Sequence, residues 1–225
     1  MTFSIAARCP ETGQFGIAIS SSSIAVGARC PWLLPGVGAV STQNITLPSL
    51  GPEVLALMEQ GLAPAEALDK VLTRNGYSQY RQITAIDHLG QTAHFSGAQT
   101  LGNHNAVSGE QCVAAGNMLA DRSVIEAMVQ AFEHGEGQLA DRLLAAMKAA
   151  IAAGGEAGPV HSAAMVVVGE LTWPIINLRV DWADENPIGQ LEKLWDAYRP
   201  QVQDYIDRAL APDKSPGYGV AGDDR

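Results

Sequence analysis

The sequence predicts an α+β protein built as a four-layer αββα sandwich, with two antiparallel sheets packed face to face and helices covering each outer surface. Three observations carry this expectation. The β-rich runs come in groups, the amphipathic helical segments come in pairs, and the order is strands, helix pair, strands, helix pair, strands, helix pair. A doubly wound parallel sheet requires strict alternation of strand and helix, which this order breaks. Residues 1–210 are read as one domain. A tail over 211–225, with Pro212, Pro216, Gly217, Gly219 and Gly222, has no period and is expected to lie on the surface or on a neighbouring subunit.

Each element has its own signal. Phe3 to Ala7 and Phe15 to Ser20 are β-rich and are separated by Pro10 and Gly13, which makes a hairpin at the start of the chain. A third extended run follows Pro35-Gly36, over Val37 to Gln43. Ser49 stands as an N-cap before a helix that ends at Gly61, and a second helix runs from Pro64 to Arg74. Strand character returns over Tyr80 to Asp87, Thr92 to Ser96 and Gln111 to Ala115. Asp121 caps a helix to Phe132, and the alanine and leucine content of Gln138 to Ala152 makes the next one, closed by Gly154-Gly155. Ala163 to Val168 and Ile175 to Val180 read as strands. Ile188 to Tyr198 and Gln201 to Leu210 read as helices divided by Pro200. Trp195, Tyr198 and Tyr205 on these last helices are expected at a subunit interface of a homo-oligomer, because aromatics concentrate there.

Composition narrows the function. A net charge of -10 argues against nucleic acid as a partner, since that affinity comes from clustered Lys and Arg. The 3 cysteines, Cys9, Cys30 and Cys112, form no CxxC pair and fit a reducing, cytoplasmic setting. No apolar run reaches the length needed to cross a bilayer, so no membrane partner is expected. Phosphate-binding glycine loops, HExxH and GxSxG are all missing, and the histidines lack the spacing of a metal set. No metal or cofactor is expected.

The candidate chemistry begins at position 2. With Met1 removed, Thr2 would carry a hydroxyl and a free α-amine on one residue, and an amine that titrates near pH ~8 can take the hydroxyl proton itself. Asn44 and Asn117 end strands in apolar surroundings, where a carboxamide can donate to a developing oxyanion or simply cap a turn. In the serine run 20–23, alternation puts Ser20 and Ser22 on one face, where they can bond a substrate, and Ser21 and Ser23 on the other. Arg81, inside a strand, either clamps a substrate carboxylate or pairs with Asp87 or Asp181. His161 enters a strand from a glycine-rich loop, as a substrate contact or a structural histidine. Lys70, Lys148, Lys193 and Lys214 all lie in helices or the tail, so Arg8 or Arg29 must supply any cation beside Thr2.

A strand that starts at Thr2, a second that ends in the Ser20 to Ser23 run and the four-layer order together resemble the N-terminal nucleophile (Ntn) hydrolases. More specifically, Met1 to Arg8, Glu11 to Gly16, the run from Gly36 through Asn44, Tyr80-Arg81-Gln82, Ala114 to Asn117 and Gly154 to Ser162 resemble the family catalogued as domain of unknown function 1028. The resemblance runs from Met1 to about Arg199. It implies a hydrolase that cleaves a small-molecule amide through Thr2 after loss of Met1. Two other readings stay open: a non-catalytic small-ligand binding protein on the same fold, and a hydrolase whose nucleophile is a serine of the 20–23 run or Cys112.

Overall fold

The computed structural model describes residues 2–223. From the first of these the chain is extended: β1 (Thr2–Arg8) and β2 (Phe15–Ser21) pair antiparallel, with Phe3 opposite Ser20 and Arg8 opposite Phe15. Gly13, at φ 68°, takes the left-handed turn position between them that side chains avoid. Then come β3 (Pro31–Leu34), β4 (Gly38–Asn44), α1 (Leu50–Glu59), α2 (Pro64–Thr73), β5 (Arg81–Asp87) and β6 (Thr92–Ser96). The second half contains β7 (Asn105–Gly109), β8 (Cys112–Asn117), α3 (Ser123–Glu133), α4 (Leu139–Ala152), β9 (Ser162–Val168), β10 (Ile176–Val180), α5 (Pro187–Tyr198) and α6 (Val202–Leu210).

These strands form two antiparallel sheets. The larger has six strands in the order β10-β9-β2-β1-β8-β7, and the smaller has four, β3-β4-β5-β6. Side-chain alternation gives every strand two faces with different company. Phe3, Ile5 and Ala7 of β1 pack with Met128 and Phe132 of α3 and with Leu143 and Met147 of α4. On the smaller sheet, Val40, Ile83 and Ala85 pack with Val54 and Met58 of α1 and Leu68 and Val71 of α2. A third apolar cluster joins the sheets directly: Ala6, Phe15, Ile17, Val113 and Val168 from the larger meet Ala39 and Ile86 from the smaller.

The expected element order is found, with two strands added. β3 and β7 are edge strands, and neither announces itself. β3 begins at a proline and is half-buried throughout, while β7 is Asn-Ala-Val-Ser-Gly with no fully buried position. Among the helix starts, Ser49 makes no side-chain cap, whereas Gln138 and Asp141 form a reciprocal capping box at α4. Asp121 Oδ1 accepts from the Ser123 amide at 2.8 Å just ahead of α3.

Of the aromatics of the last helices, Trp195 is used differently from expectation. Trp195 is 1% exposed in the chain's own core, and its Nε1 donates to Asp141 Oδ1 at 2.7 Å. Its indole is therefore spent on holding α5 against α4, not on a partner subunit. Tyr198 donates its hydroxyl to the Ile175 carbonyl, and Tyr205 is exposed beside Tyr218 of the tail. Among the described residues no helix is long and apolar enough to cross a membrane.

Candidate functional site

The face of β1 that carries Ala6 into the apolar contact between the sheets also carries Ser4 and Thr2. Toward the start of the strand, the gap between the sheets therefore changes from apolar to polar. Ser4 Oγ donates to Gln43 Oε1 at 2.7 Å and lies 3.2 Å from Ser41 Oγ, both on β4. Thr2, 5% exposed, lies at the end of this polar seam.

Its hydroxyl heads a chain of short contacts. Thr2 Oγ1 is 3.2 Å from Ser21 Oγ, Ser21 Oγ is 2.8 Å from Ser23 Oγ, and Arg29 Nη2 donates to Ser23 Oγ at 2.6 Å. Arg29 is held in place by a second bond from Nη1 to the Ala25 carbonyl at 2.9 Å. The guanidinium thus reaches Thr2 through two serine hydroxyls. Arg29 can only donate to Ser23, while either oxygen can be the donor in the Ser23–Ser21 and Ser21–Thr2 contacts.

On the other side of Thr2, across the β1–β8 ladder, stands Asn117. Its amide is tied to a fully buried network: Asn117 Nδ2 donates to Gln82 Oε1 at 3.0 Å, as does Gln43 Nε2 at 2.9 Å, and Gln82 Nε2 donates to the Gly116 carbonyl at 3.0 Å. The Gly116 carbonyl can only accept, which fixes Gln82 and through it Asn117. Asn117 Oδ1 is consequently left buried without a hydrogen-bond partner. Asn117 presents an acceptor beside Thr2, where the sequence reading expects a donor.

The carboxylate nearest in the sheet lattice belongs to Glu156. It is 5% exposed, both of its oxygens accept from the Ser22 amide at 3.2 Å, and burial pushes its carboxyl up to about 7. The backbone explains how it gets there. Beyond the end of β8, the Met118 and Leu119 amides bond to Leu101 and Asn103, on the β7 side. On the opposite side, Ala120 bonds to Gly155, Ala157 bonds to Met118, and Leu119 is bridged to Glu156. The chain turns at Met118, at φ 50°, so residues 155–157 pack on the segment that directly follows Asn117, the partner of Thr2.

The other expected site residues lie elsewhere or in different roles. Asn44, at φ 70°, donates to the Tyr80 carbonyl at 2.6 Å and accepts from the Leu101 amide at 3.3 Å, so its carboxamide ties two loops together. Arg81 alternates with Gln82 and shares the helix-covered face with Ile83 and Ala85, where it donates to the Ile45 carbonyl. Among the described residues no carboxylate pairs with it, neither Asp87 nor Asp181; Asp181 instead pairs with Arg179. Ser20 points to the helix side and donates to the Ser162 carbonyl at 2.9 Å. Ser22 contributes its amide to Glu156. It is therefore Ser21 and Ser23, not Ser20 and Ser22, that join Thr2, because alternation along β2 from Phe15 and Ile17 turns Ser21 to the inter-sheet face. His161 is stacked on Trp182 at 4.4 Å, with Nδ1 against the Ala183 carbonyl and its amide on Ser21. Arg8 bonds Gln111 at the far end of β1.

Cys112 lies on the helix-covered face of β8, and burial pushes its thiol up to about 12. At pH 8 its thiolate fraction is on the order of 10⁻⁴, and the thiolate is the reactive form. Iodoacetamide applied to the folded protein at pH 8 is expected to modify half-buried Cys9 and leave Cys112 untouched, as read by peptide mass. Rapid Cys112 labelling would restore it as a nucleophile. Among the described residues no three His, Cys, Asp or Glu side chains are grouped to hold a metal.

The sequence gives no sign of Glu156, Gln43 or Gln82 beside Thr2, and it offers Ser21 and Ser23 only as members of the serine run. The available signal was two uncharged carboxamides, Gln43 and Gln82, next to apolar strand residues, and a glutamate inside Gly154-Gly-Glu-Ala-Gly158.

Comparison with known proteins places this geometry in context. The family model described as "Family of unknown function (DUF1028)" matches residues 2–191. The crystal structure of protein SPO2555 from Silicibacter pomeroyi, also assigned to that family model, superposes with a TM-score of 0.84 at 36% identity, covering 92% of this chain and 93% of that one. Anbu, the ancestral beta-subunit from Yersinia bercovieri, gives a TM-score of 0.42 at 10% identity over 97% of this chain and 100% of its own, too low to bear on fold or function. No curated protein matches the chain.

Proposed function

Because the chain belongs to the DUF1028 family, which brings no activity with it, we propose from the site itself that this protein is an amide hydrolase with Thr2 as its N-terminal nucleophile, on a four-layer αββα fold of the Ntn type. The layering is supported by three clusters: helices α3 and α4 against the larger sheet, sheet against sheet, and α1 and α2 against the smaller sheet. The observation that carries the chemistry is the placement of Thr2 Oγ1, on the inter-sheet face at the first position of β1, in a hydrogen-bonded chain that ends on Arg29.

The reaction needs the α-amine of Thr2, and Met1, whose removal frees it, lies outside the described residues. In the first half, the amine takes the proton from Oγ1 as the oxygen bonds to the substrate carbonyl carbon. The tetrahedral oxyanion collapses, the C–N bond breaks, and the departing nitrogen takes that proton back from the ammonium. An ester on Thr2 remains. In the second half, the amine deprotonates a water molecule that attacks the ester, and the proton returns to Oγ1 as the acid leaves. Arg29 favours this through Ser23 and Ser21 by orienting hydroxyl donors toward the developing charge on Oγ1.

An amide-mimicking electrophile such as a β-lactone tests the assignment. After incubation with the native protein, peptide mass spectrometry is expected to find the adduct on Thr2, in a chain whose intact mass lacks Met1. An adduct on Ser21, Ser23 or Cys112 instead would transfer the nucleophile role to that residue. Turnover of amides by a protein that keeps Met1 would exclude the mechanism.

A further inference from the structure

We propose that Glu156 is the positioning residue for the α-amine of Thr2: its carboxylate binds the protonated amine, and once that proton has passed to solvent it accepts an N–H bond that turns the nitrogen lone pair toward Oγ1. This rests on the nucleophile reading above and deepens it. In the larger sheet β1 lies between β2 and β8. Residues 155–157 are bonded to Met118–Ala120, directly after the Asn117 that pairs with Thr2, and Glu156 binds the Ser22 amide next to the Ser21 whose hydroxyl touches Thr2, so the carboxylate is bracketed by both neighbours of the N-terminal end of β1. From there the Glu156 carboxylate reaches the Ser22 amide, one residue past the end of β2. The side chain thus closes the end of β1 from the β8 side to the β2 side.

A second observation points to the same ligand. Asn117 Oδ1 is fully buried, lies on the strand paired with Thr2 and has no donor. An ammonium offers three N–H donors and supplies the positive charge that a buried carboxylate needs. A positive charge at the end of the chain counters the burial that raises the Glu156 carboxyl. Charged or titratable side chains on the segments around it are Arg29 and His161 on the β2 and β9 side and Asp121 and Arg122 after Leu119. Arg29 is bonded to Ser23 and backbone carbonyls, and the His161 ring to Ala183.

The test compares the wild-type protein with Glu156→Gln, each checked for its N-terminus by intact mass. The α-amine is titrated by competitive acetylation with acetic anhydride across pH and read on the N-terminal peptide, independently of turnover. In the wild type the amine is expected to titrate above the free value of about 8, and in Glu156→Gln to fall by roughly one unit or more. In parallel kcat should fall at least about tenfold with KM little changed, as for a group that acts on the reacting amine and not on substrate binding. An unchanged amine titration in a chain that starts at Thr2 would overturn the role of Glu156 and leave the nucleophile reading standing. Active protein that still carries Met1 would overturn both. If Glu156→Gln fails to fold, the wild-type titration decides alone: a value at or below about 8 rejects the proposal.

Discussion

Thr2→Ala is expected to abolish amide turnover while leaving a folded protein. Removing a nucleophile that works as a unit with its base costs on the order of 10⁶-fold in kcat, because the remaining groups have nothing to activate. The structural cost is small by comparison. The hydroxyl lost makes a 3.2 Å contact with Ser21, and one such hydrogen bond contributes about 1 kcal/mol net. Ser21 keeps Ser23 as a partner, so no buried hydroxyl is stranded. Thermal melts should therefore shift by only a few degrees, and circular dichroism should not change. Thr2→Ser, which retains both the hydroxyl and the amine, should recover measurable turnover. Full activity in Thr2→Ala would end the proposed mechanism, whichever residue then proved responsible.

Gln82→Leu is expected to be the most destabilising single change in the inter-sheet seam. Gln82 is fully buried, and leucine fills its volume closely, so packing is nearly conserved. What is lost is polar pairing on three sides: the Gly116 carbonyl loses its side-chain donor, and Asn117 Nδ2 and Gln43 Nε2 lose the oxygen they share. Each stranded buried group costs about 1–3 kcal/mol, and three together come to roughly 3 kcal/mol or more after relaxation. Urea denaturation should show a lower midpoint with an unchanged slope. Thr42→Val supplies the contrast. Thr42 Oγ1 is buried on the helix-covered face of β4 with no partner, so replacing it with a methyl should be neutral or stabilising. If Gln82→Leu were as mild as Thr42→Val, the seam would not be a hydrogen-bonded network at all.

Much of the secondary structure could be read along the chain, because burial leaves a periodic trace. β6 was expected over Thr92 to Ser96 and is found there, and the five helices with buried stripes begin and end within a few residues of their glycine, proline and capping signals. The exceptions follow the same logic. β3 and β7 lie on sheet edges, bury little and so show no alternation. The serine run illustrates the limit at the site. Alternation correctly separates Ser20 from Ser21, but it cannot say that β2 stops at Ser21, so that Ser22 turns its amide to Glu156 and Ser23 returns to Ser21. Asn44 and Asn117 look alike in sequence, each ending an apolar strand, yet one fastens loops and the other faces the polar seam.

By itself the sequence determined the kinds of elements, their order, and a hydroxyl residue at position 2 on the face of β1 shared with Ser4 and Ala6, because these depend on local periodicity and turn chemistry. The tertiary structure decided which side chains meet Thr2. Arg29 comes within two hydroxyls of it, Glu156 crosses 134 positions of chain to take the Ser22 amide, and Arg81 is turned to the opposite face of its sheet. Such neighbours are set by the pairing of β1 with both β2 and β8 and by the stacking of one sheet on the other. Contacts between distant segments leave no period in a linear sequence, whatever their effect on the folded site.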